Sequence, residues 1–530
     1  MSKIGAFDLG TTTTGYAEFD KNIGRGVPCY NSVNSALTPS VVQIQSKNDV
    51  ITGEIAYECA AIYPENTKQQ VKREMGIKSV ALTVDGEDYS PQQISAFILT
   101  SVKKDAERQL GREIKEAVIT VPAYFRENQR LATIEAGKLA GIEVKDILHE
   151  PSAAIYGVTA VRNLDGKTVL VFDLGGGTLD LLVAEVQKDA INEWIISGDN
   201  FLGGSDWDKH YVKFLKEKYF AGEHIPVDVE QELIIKAEMA KKDLSEIEQT
   251  RFSVSTKKEK KEIIVNRGEF EDCTVDLLER VRACLRDVKD KFTKLQKASK
   301  IDTIILAGGA TRMPQISRLL NEEFPGVEII AEEVDQIVMI GAATYAHALE
   351  ENKQAKINSY FNGKNGNSQS ENSQAQGGQK QQTAKKLNRI TSRSYGIAAY
   401  VQNVRKICNM IMQNTSVDQE AVEEEFYTRR DNQTEVDIDI YETTSDKNVV
   451  DLKEGTLIGN CKLKLNGNLS EGSPIMIKMG LHENGTLHVR GFENSGRTEV
   501  ETYIQTETLA NNEEEFALQK QQIEEMLMVV

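Results

Sequence analysis

One tetrapeptide, FDLG, occurs twice, at Phe7–Gly10 and again at Phe172–Gly175. Each copy ends an apolar run. Each is followed by small and hydroxyl residues before a second apolar run begins: Gly10, Thr11, Thr12 and Thr13 in the first copy, Gly175, Gly176, Gly177 and Thr178 in the second. A strand, a loop without bulky side chains and a returning strand let backbone N–H groups turn toward a phosphate. Asp8 and Asp173 stand at the strand ends. A carboxylate does not bind phosphate itself, but it can hold a hard cation that bridges to phosphate oxygens. One such loop is a weak signal, because an ordinary hairpin turn has the same composition. Two copies in one chain imply two similar lobes that face one ligand and grip a polyphosphate from both sides, with both aspartates converging on one metal ion.

The chain has 530 residues, enough for three or four domain-sized units. Its formal net charge of −18 argues against a nucleic-acid partner, which would call for a basic face. An anion site here must be made locally positive by backbone amides, lysines and a cation. The six cysteines are scattered, with neither a CxxC pair nor a Cys/His cluster, which fits a reducing cytosol. No run approaches the ~20 apolar residues of a membrane span. The opening MSKIGAFDLG enters a strand at once. The expectation is a cytoplasmic protein without a membrane partner.

In chain order, 3–19 reads as the first hairpin, and 37–45 and 50–53 read as further strands; Glu54–Met75 reads as helical and carries Lys72 and Arg73. Ser90, Pro91 and Gln93 spell a capping box for a helix that runs to Gly111. Strands follow at 117–121 and 144–149, with a helix between them over 128–140 and another opened by Pro151. The second half repeats the plan: a hairpin over 168–186, a strand over 191–196, helices from LGGSDWD to Tyr219 and over 229–246, and a buried strand at 303–306 that ends in AGGATRMP. Alternating strands and crossover helices around a repeated loop spell a duplicated α/β fold. From Asn362 to Lys386 no large apolar residue occurs, so this stretch reads as a disordered linker. Beyond it the period changes to two, in EVDIDIY at 435–441 and again at 475–481, with Asn484-Gly485 as a type I′ hairpin turn. An antiparallel β domain follows the linker, and a short acidic helix, Glu513–Met528, ends the chain.

Taken together, DLGTT, VKRE, AVITVPAYF, HEPSAA, DLGGGTLD, LGGSDWD, LAGGATRMP and IGAA, in that order over 1–350, resemble the seventy-kilodalton heat-shock chaperone family; QNTSV, DNQTEV and NGTLHV extend the likeness to the β domain. The resemblance implies an actin-like two-lobed ATPase of duplicated ribonuclease H-like lobes over 1–350, with 1–163 and 338–350 in one lobe and 164–337 in the other. A polar linker at 351–388, a peptide-binding β-sandwich at 389–508 and the acidic helix at 509–530 complete it. It implies slow ATP hydrolysis, with ATP or ADP and Mg²⁺ as ligands. Asp8, Glu150 and Asp173 would surround the magnesium largely through water. Lys72 would hold the attacking water beside Thr178, and Asp180 would support water or a monovalent ion such as K⁺. Glu150 can also be read as a carboxylate favouring the start of the Pro151 helix, and Lys72 as a solvated lysine. Gly10, Thr11, Thr12, Thr13, Gly175, Gly176, Gly177, Thr178, Gly203 and Gly204 would face phosphates. Glu238, Lys241, Lys242 and Ser245 share one helix face by their spacing; the resemblance assigns that face to ribose and adenine, with Gly308, Gly309 and Arg312 covering the base and Ala310 and Asp335 helping to shape the nucleotide pocket. Ile397, Tyr400, Phe426, Val436 and Ile438 would line a peptide cleft, although such residues on strands are equally plain core. Unfolded polypeptides, a J-domain co-chaperone and a nucleotide-exchange factor are the implied partners.

Two departures from the family pattern stand out. The linker lacks the family's apolar docking run and reads KLNRITSRSYGI, with Leu387 and Ile390 as a reduced apolar pair. The long helical lid is missing, apart at most from its first turns in the C-terminal helix. The expectation is weak coupling between nucleotide state and the β domain. A nucleotide-dependent interaction module and a small-molecule kinase of the actin-like superfamily are the alternative functions, the kinase being disfavoured by the β domain.

Overall fold

The computed structural model describes residues 4–46, 49–255, 260–364, 385–417, 419–465, 469–482, 486–493, 499–504 and 513–526. The duplication is explicit in the sheets. In the first lobe the strand order is Glu143–His149, Glu116–Val121, Gly5–Leu9, Thr13–Asp20 and Arg25–Pro28. Its first three strands are parallel and the last two antiparallel. The second lobe repeats both order and direction with Glu328–Ile330, Thr303–Ala307, Lys167–Leu174, Leu179–Val186 and Ala190–Asp199. Lys167–Leu174 is buried along nearly its whole length, as a central strand covered on both faces must be. The helices Glu150–Thr159 and Ile337–Lys364 pack against each other, and their buried side chains join strands of both lobes in one core. The FDLG loops therefore sit at equivalent strand ends and face each other.

The capping box at Ser90 forms as expected: Gln93 N donates to Ser90 Oγ at 3.2 Å, and Ser90 N donates to Gln93 Oε1 at 2.9 Å. Gly111 ends that helix in the left-handed region. The single helix expected over Glu54–Met75 is corrected. A short helix, Glu54–Cys59, gives way to a 3₁₀ turn at Pro64–Asn66, a strand at Thr67–Gln69 and a second 3₁₀ turn at Val71–Glu74. The cause is tertiary: Val41–Ser46 takes Thr67–Gln69 as a strand partner, and Gln70 turns the chain at φ 55°.

The linker is corrected at both ends. Helix Ile337–Lys364 covers its beginning, and Lys386–Asn388 forms a sixth strand of the second-lobe sheet, parallel to 190–192; 365–384 lie outside the described residues. The apolar run is absent from the sequence, but the reduced pair Leu387 and Ile390 is packed inward. Leu387 lies half-buried against the core between the lobes, and Ile390 is buried in it. The Asn484-Gly485 turn lies outside the described residues.

Beyond the linker, a sheet of Val449–Asp451, Val404–Ile411, Ser394–Val401, Glu435–Thr443 and Gly455–Lys464 faces a sheet of Val422–Tyr427, Pro474–Leu481, Leu487–Glu493 and Glu499–Ile504. The alternation in EVDIDIY turns Ile438 and Ile440 into the core between the sheets. The sandwich contacts the first lobe. Arg126 approaches Glu442 at 3.7 Å, and Arg393 donates to the Tyr124 carbonyl at 2.6 Å. The C-terminal helix, Glu513–Met526, packs on Pro91–Leu110 and Glu127–Leu139, with Ile523 inside the first-lobe core and Phe516 against it.

Candidate nucleotide site

Between the lobes lies a cleft of about 1430 Å³. It is lined by every residue expected to face phosphate, ribose or base except Gly203, and by Lys72, Asp8, Glu150 and Asp173. The two loops touch across it: a Cβ on Gly176 would collide with Thr12, and one on Gly177 with Thr11. That approach, as much as freedom to turn an amide, requires glycine at both positions. Gly203 stands behind the loop, where its own Cβ would meet Gly177 N at 2.5 Å. Gly204 N and Ser205 N donate to the Gly175 and Gly176 carbonyls, each at 2.9 Å.

At the floor, Lys72 is ion-paired to Glu150, and both are buried. Asp8 accepts from Thr120 Oγ1 at 2.7 Å. Asp180 accepts from Tyr124 N at 3.1 Å, while its second oxygen is buried without a partner. Asp180 does not line the cleft itself. Burial raises the pKa of all four carboxyls. Glu150 is pushed up to about 7 by burial against the pull of Lys72, with Asp8 and Asp180 adding repulsion. Asp180 rises to about 6 by burial, against hydrogen bonds from Tyr124 and Thr178. Asp173 lies well above its ordinary range through burial and then the neighbouring Glu150, Asp180 and Asp8. Asp8 is raised by burial against Lys72. Crowded carboxyls with one ammonium and an unpartnered oxygen suit a hard cation. Among the described residues no three acidic, His or Cys side chains converge closely enough to chelate an ion directly. The carboxylates that line the cleft, Asp8, Glu150 and Asp173, are the hard oxygen donors that suit magnesium, an ion that binds proteins with much of its water retained.

On the opposite wall, Glu238, Lys241, Lys242 and Ser245 form one face of helix Val227–Glu246, as their spacing predicts. Lys241 pairs with Asp208 at 2.7 Å and donates to the Gly204 carbonyl at 3.1 Å. Lys242 pairs with Glu238 at 2.8 Å, and Tyr57, from the other lobe, donates to Glu238 Oε2 at 2.8 Å. Ser245 Oγ is turned onto the Lys241 carbonyl. Arg312 is held by Asp335, Nε to Oδ2 at 3.0 Å. Gly308, Gly309 and Ala310 pass beside this pair, and Gly309 approaches Asp335.

Sequence reasoning missed Tyr57 and Arg73, both first-lobe residues that reach across the cleft. It also missed a buried group at the linker. Glu193 accepts from Ser152 Oγ at 2.5 Å and from Ile390 N at 3.0 Å, with His149 Nδ1 3.6 Å away. The only signal was His149 within HEPSAA. The five residues expected at a peptide cleft do not share one environment. Ile397 and Ile438 are 5% and 1% exposed in the sandwich core, Phe426 and Val436 are half-buried, and Tyr400 is exposed with the Arg429 guanidinium 3.6 Å from its ring centre.

Among the described residues no helix is long and apolar enough to cross a membrane. The family model described as Hsp70 protein matches residues 77–358 and 373–527.

Proposed function

The chain belongs to the Hsp70 family, and from that premise we propose that it is an ATP-hydrolysing chaperone that holds extended apolar segments of unfolded polypeptides. The supporting observation is the pair of facing FDLG loops above four buried carboxyls and one lysine. Members of this family are ATP-dependent chaperones that take ATP or ADP with Mg²⁺.

The amides of Thr11, Thr12, Gly176, Gly177 and Thr178 cradle the phosphates from both lobes. Asp8, Glu150 and Asp173 would hold magnesium, and that ion when bound would neutralise phosphate charge. Lys72 orients the attacking water and offsets charge developing on the phosphoryl group, an electrostatic role. Glu150 fixes the Lys72 ammonium. Asp180 keeps one oxygen for water or a monovalent ion such as K⁺. Arg312 stacks on the base, and the Glu238–Ser245 face holds ribose and adenine.

Coupling to the sandwich has a physical route. Tyr124 donates its amide to Asp180, which lies outside the cleft lining, and offers its carbonyl to Arg393 at the head of the sandwich. The Lys386–Asn388 strand extends the second-lobe sheet. A J-domain co-chaperone and a nucleotide-exchange factor are the partners this reading implies, in the cytoplasm.

Magnesium-dependent ATP binding by calorimetry, followed by single-turnover hydrolysis with and without an extended peptide, tests the reading; absence of magnesium-dependent affinity overturns it. A second reading, a nucleotide-dependent interaction module that refolds nothing, is favoured by Ile397 and Ile438 being sealed in the core. Hydrolysis indifferent to peptide would select it.

A further inference from the structure

The three carbonyls of the Gly175–Gly177 loop are all tied down by hydrogen bonds. Gly175 O accepts from Gly204 N and Gly176 O from Ser205 N, each at 2.9 Å, and both donors belong to the second lobe itself. The third is different. Gly177 O accepts from Arg73 Nε at 3.0 Å and from an Arg73 terminal nitrogen at 2.6 Å. Arg73 sits on the 3₁₀ turn Val71–Glu74 of the first lobe. Its guanidinium also grips Asp206, NH1 to Oδ1 at 3.0 Å and NH2 to Oδ2. Asp206 in turn accepts from Gly203 N at 2.9 Å, so the far end of the clamp is the turn that backs the phosphate loop. The Arg73 side chain is 11% exposed and that of Asp206 14%. The contact is a shielded fork on two acceptors rather than a solvated surface pair.

A trans peptide places its C=O and its N–H on opposite sides. Anchoring the carbonyls of Gly175, Gly176 and Gly177 therefore aims the amides of Gly176, Gly177 and Thr178 the other way. The first two anchors are backbone amides within one lobe and persist whether the cleft is open or closed. The third comes from across the cleft and exists only when the lobes are together. Lys72 precedes Arg73 on the same turn and is ion-paired to Glu150 of its own lobe, so the movement that seats the clamp also carries the Lys72–Glu150 pair toward the loop.

We infer that Arg73 is a positioning residue that completes the phosphate loop on lobe closure, by fixing the Gly177–Thr178 peptide from the opposite lobe. It touches neither nucleotide nor the attacking water; it sets the last amide of the loop and the reach of Lys72. This inference rests on the nucleotide reading of the cleft.

The test compares wild type with Arg73→Ala, Arg73→Gln and Arg73→Lys in the full chain. Calorimetry gives Mg–ATP affinity, and single-turnover assays give the hydrolysis and ATP-release rates. Loss of one preorganised amide and displacement of Lys72 predict hydrolysis slowed about a hundredfold in Arg73→Ala, with faster ATP release. Arg73→Lys, a single ammonium that cannot fork over two acceptors, should recover less than a tenth of the lost rate. Arg73→Gln, which donates to one carbonyl only, should behave as the alanine variant does and serves if the latter fails to fold. A merely structural arginine would lower the melting temperature of the nucleotide-free chain and the active fraction while leaving the rate per active molecule intact. Such a result overturns the assignment, as does full rescue by Arg73→Lys or a rate in Arg73→Ala within threefold of wild type. A wild type without magnesium-dependent ATP affinity would instead overturn the nucleotide reading itself, and this assignment with it.

Discussion

Arg389, the residue after the linker strand, offers a measurable test of how firmly that strand is held. Its guanidinium meets Asp146 of the first lobe in a two-pronged pair at 2.7 and 3.2 Å. Tyr345 OH donates to the same carboxylate at 2.5 Å and accepts from Arg389 at 2.9 Å. The two charged side chains are 13% and 22% exposed. Burial alone would raise the Asp146 pKa, but Arg389 and the hydrogen bonds from Tyr345 and Ile147 outweigh it and hold the carboxyl below its ordinary range. Removing Arg389 leaves that carboxylate shielded with tyrosine and backbone donors alone. Breaking a buried pair costs about 3–5 kcal/mol, and the remaining water access at Asp146 favours the lower end, ~3 kcal/mol. If the loss falls on docking, the opening equilibrium of the Lys386–Asn388 strand shifts by about a hundredfold. Amide hydrogen exchange reads it directly, since these amides exchange through local opening. Asp146→Ala should cost less, because a long arginine left alone can turn its head toward water. The double variant should show a coupling of ~1–3 kcal/mol. Additive single effects, or exchange in Arg389→Ala within threefold of wild type, would refute the view that this pair seats the linker.

Lys72→Ala should slow single-turnover hydrolysis by about 10²–10³ while ATP still binds; an unchanged rate removes Lys72 from the chemistry. Gly177→Ala places a methyl against Thr11, so the lobes should fail to close and Mg–ATP affinity measured by calorimetry should fall at least tenfold. Glu127, at the contact with the sandwich, is raised to about 7 by burial against Arg130, with Glu442 adding repulsion. A raised carboxyl favours the docked form at low pH and loses that contribution as pH climbs through about 7. Exchange of interface amides should therefore quicken from pH 6 to 8 after correction for intrinsic rates, and Glu442→Gln should flatten the profile. Ile523 is 1% exposed in the first-lobe core, so Ile523→Asp should forfeit ~1.5–3 kcal/mol of helix docking; a proteolysis rate at 513–526 equal to that of wild type would contradict this.

The repeated loop, the capping box at Ser90 and the period change near the linker were legible because each is local: a turn, a cap or an alternation carries its own pattern. What was illegible depends on partners far away in sequence. Glu54–Met75 carries helix-forming residues, yet Val41–Ser46 takes three of them as a strand. Leu387 and Ile390 show no period in so short a run, and only the waiting edge at 190–192 makes a strand of their neighbourhood. Phe516 and Ile523 are seven residues apart, two turns of one helix face, but nothing in that spacing says the face will meet the first lobe. Within the cleft, the two FDLG loops were legible from their repeat, while the helix face and the residues around Gly308 were assigned through the family resemblance, because a polar stripe or a glycine turn alone does not distinguish a ligand wall from a solvated surface. Tyr57, on the short helix Glu54–Cys59, and Arg73, on the 3₁₀ turn Val71–Glu74, escaped because their partners across the cleft, Glu238, Gly177 and Asp206, are far away in sequence.

The sixth strand has a consequence separate from signalling. Among the described residues, nothing but Lys386–Asn388 pairs with the outer side of Ala190–Asp199. When the linker leaves, a row of unpaired backbone donors and acceptors is bared, a template on which a strand from any other chain can add. The net charge of −18 keeps copies apart at a distance, but it does not cap that edge. The linker strand is thus a built-in stopper, and an ATPase half cut free at residue 364 should self-associate more than the whole chain does.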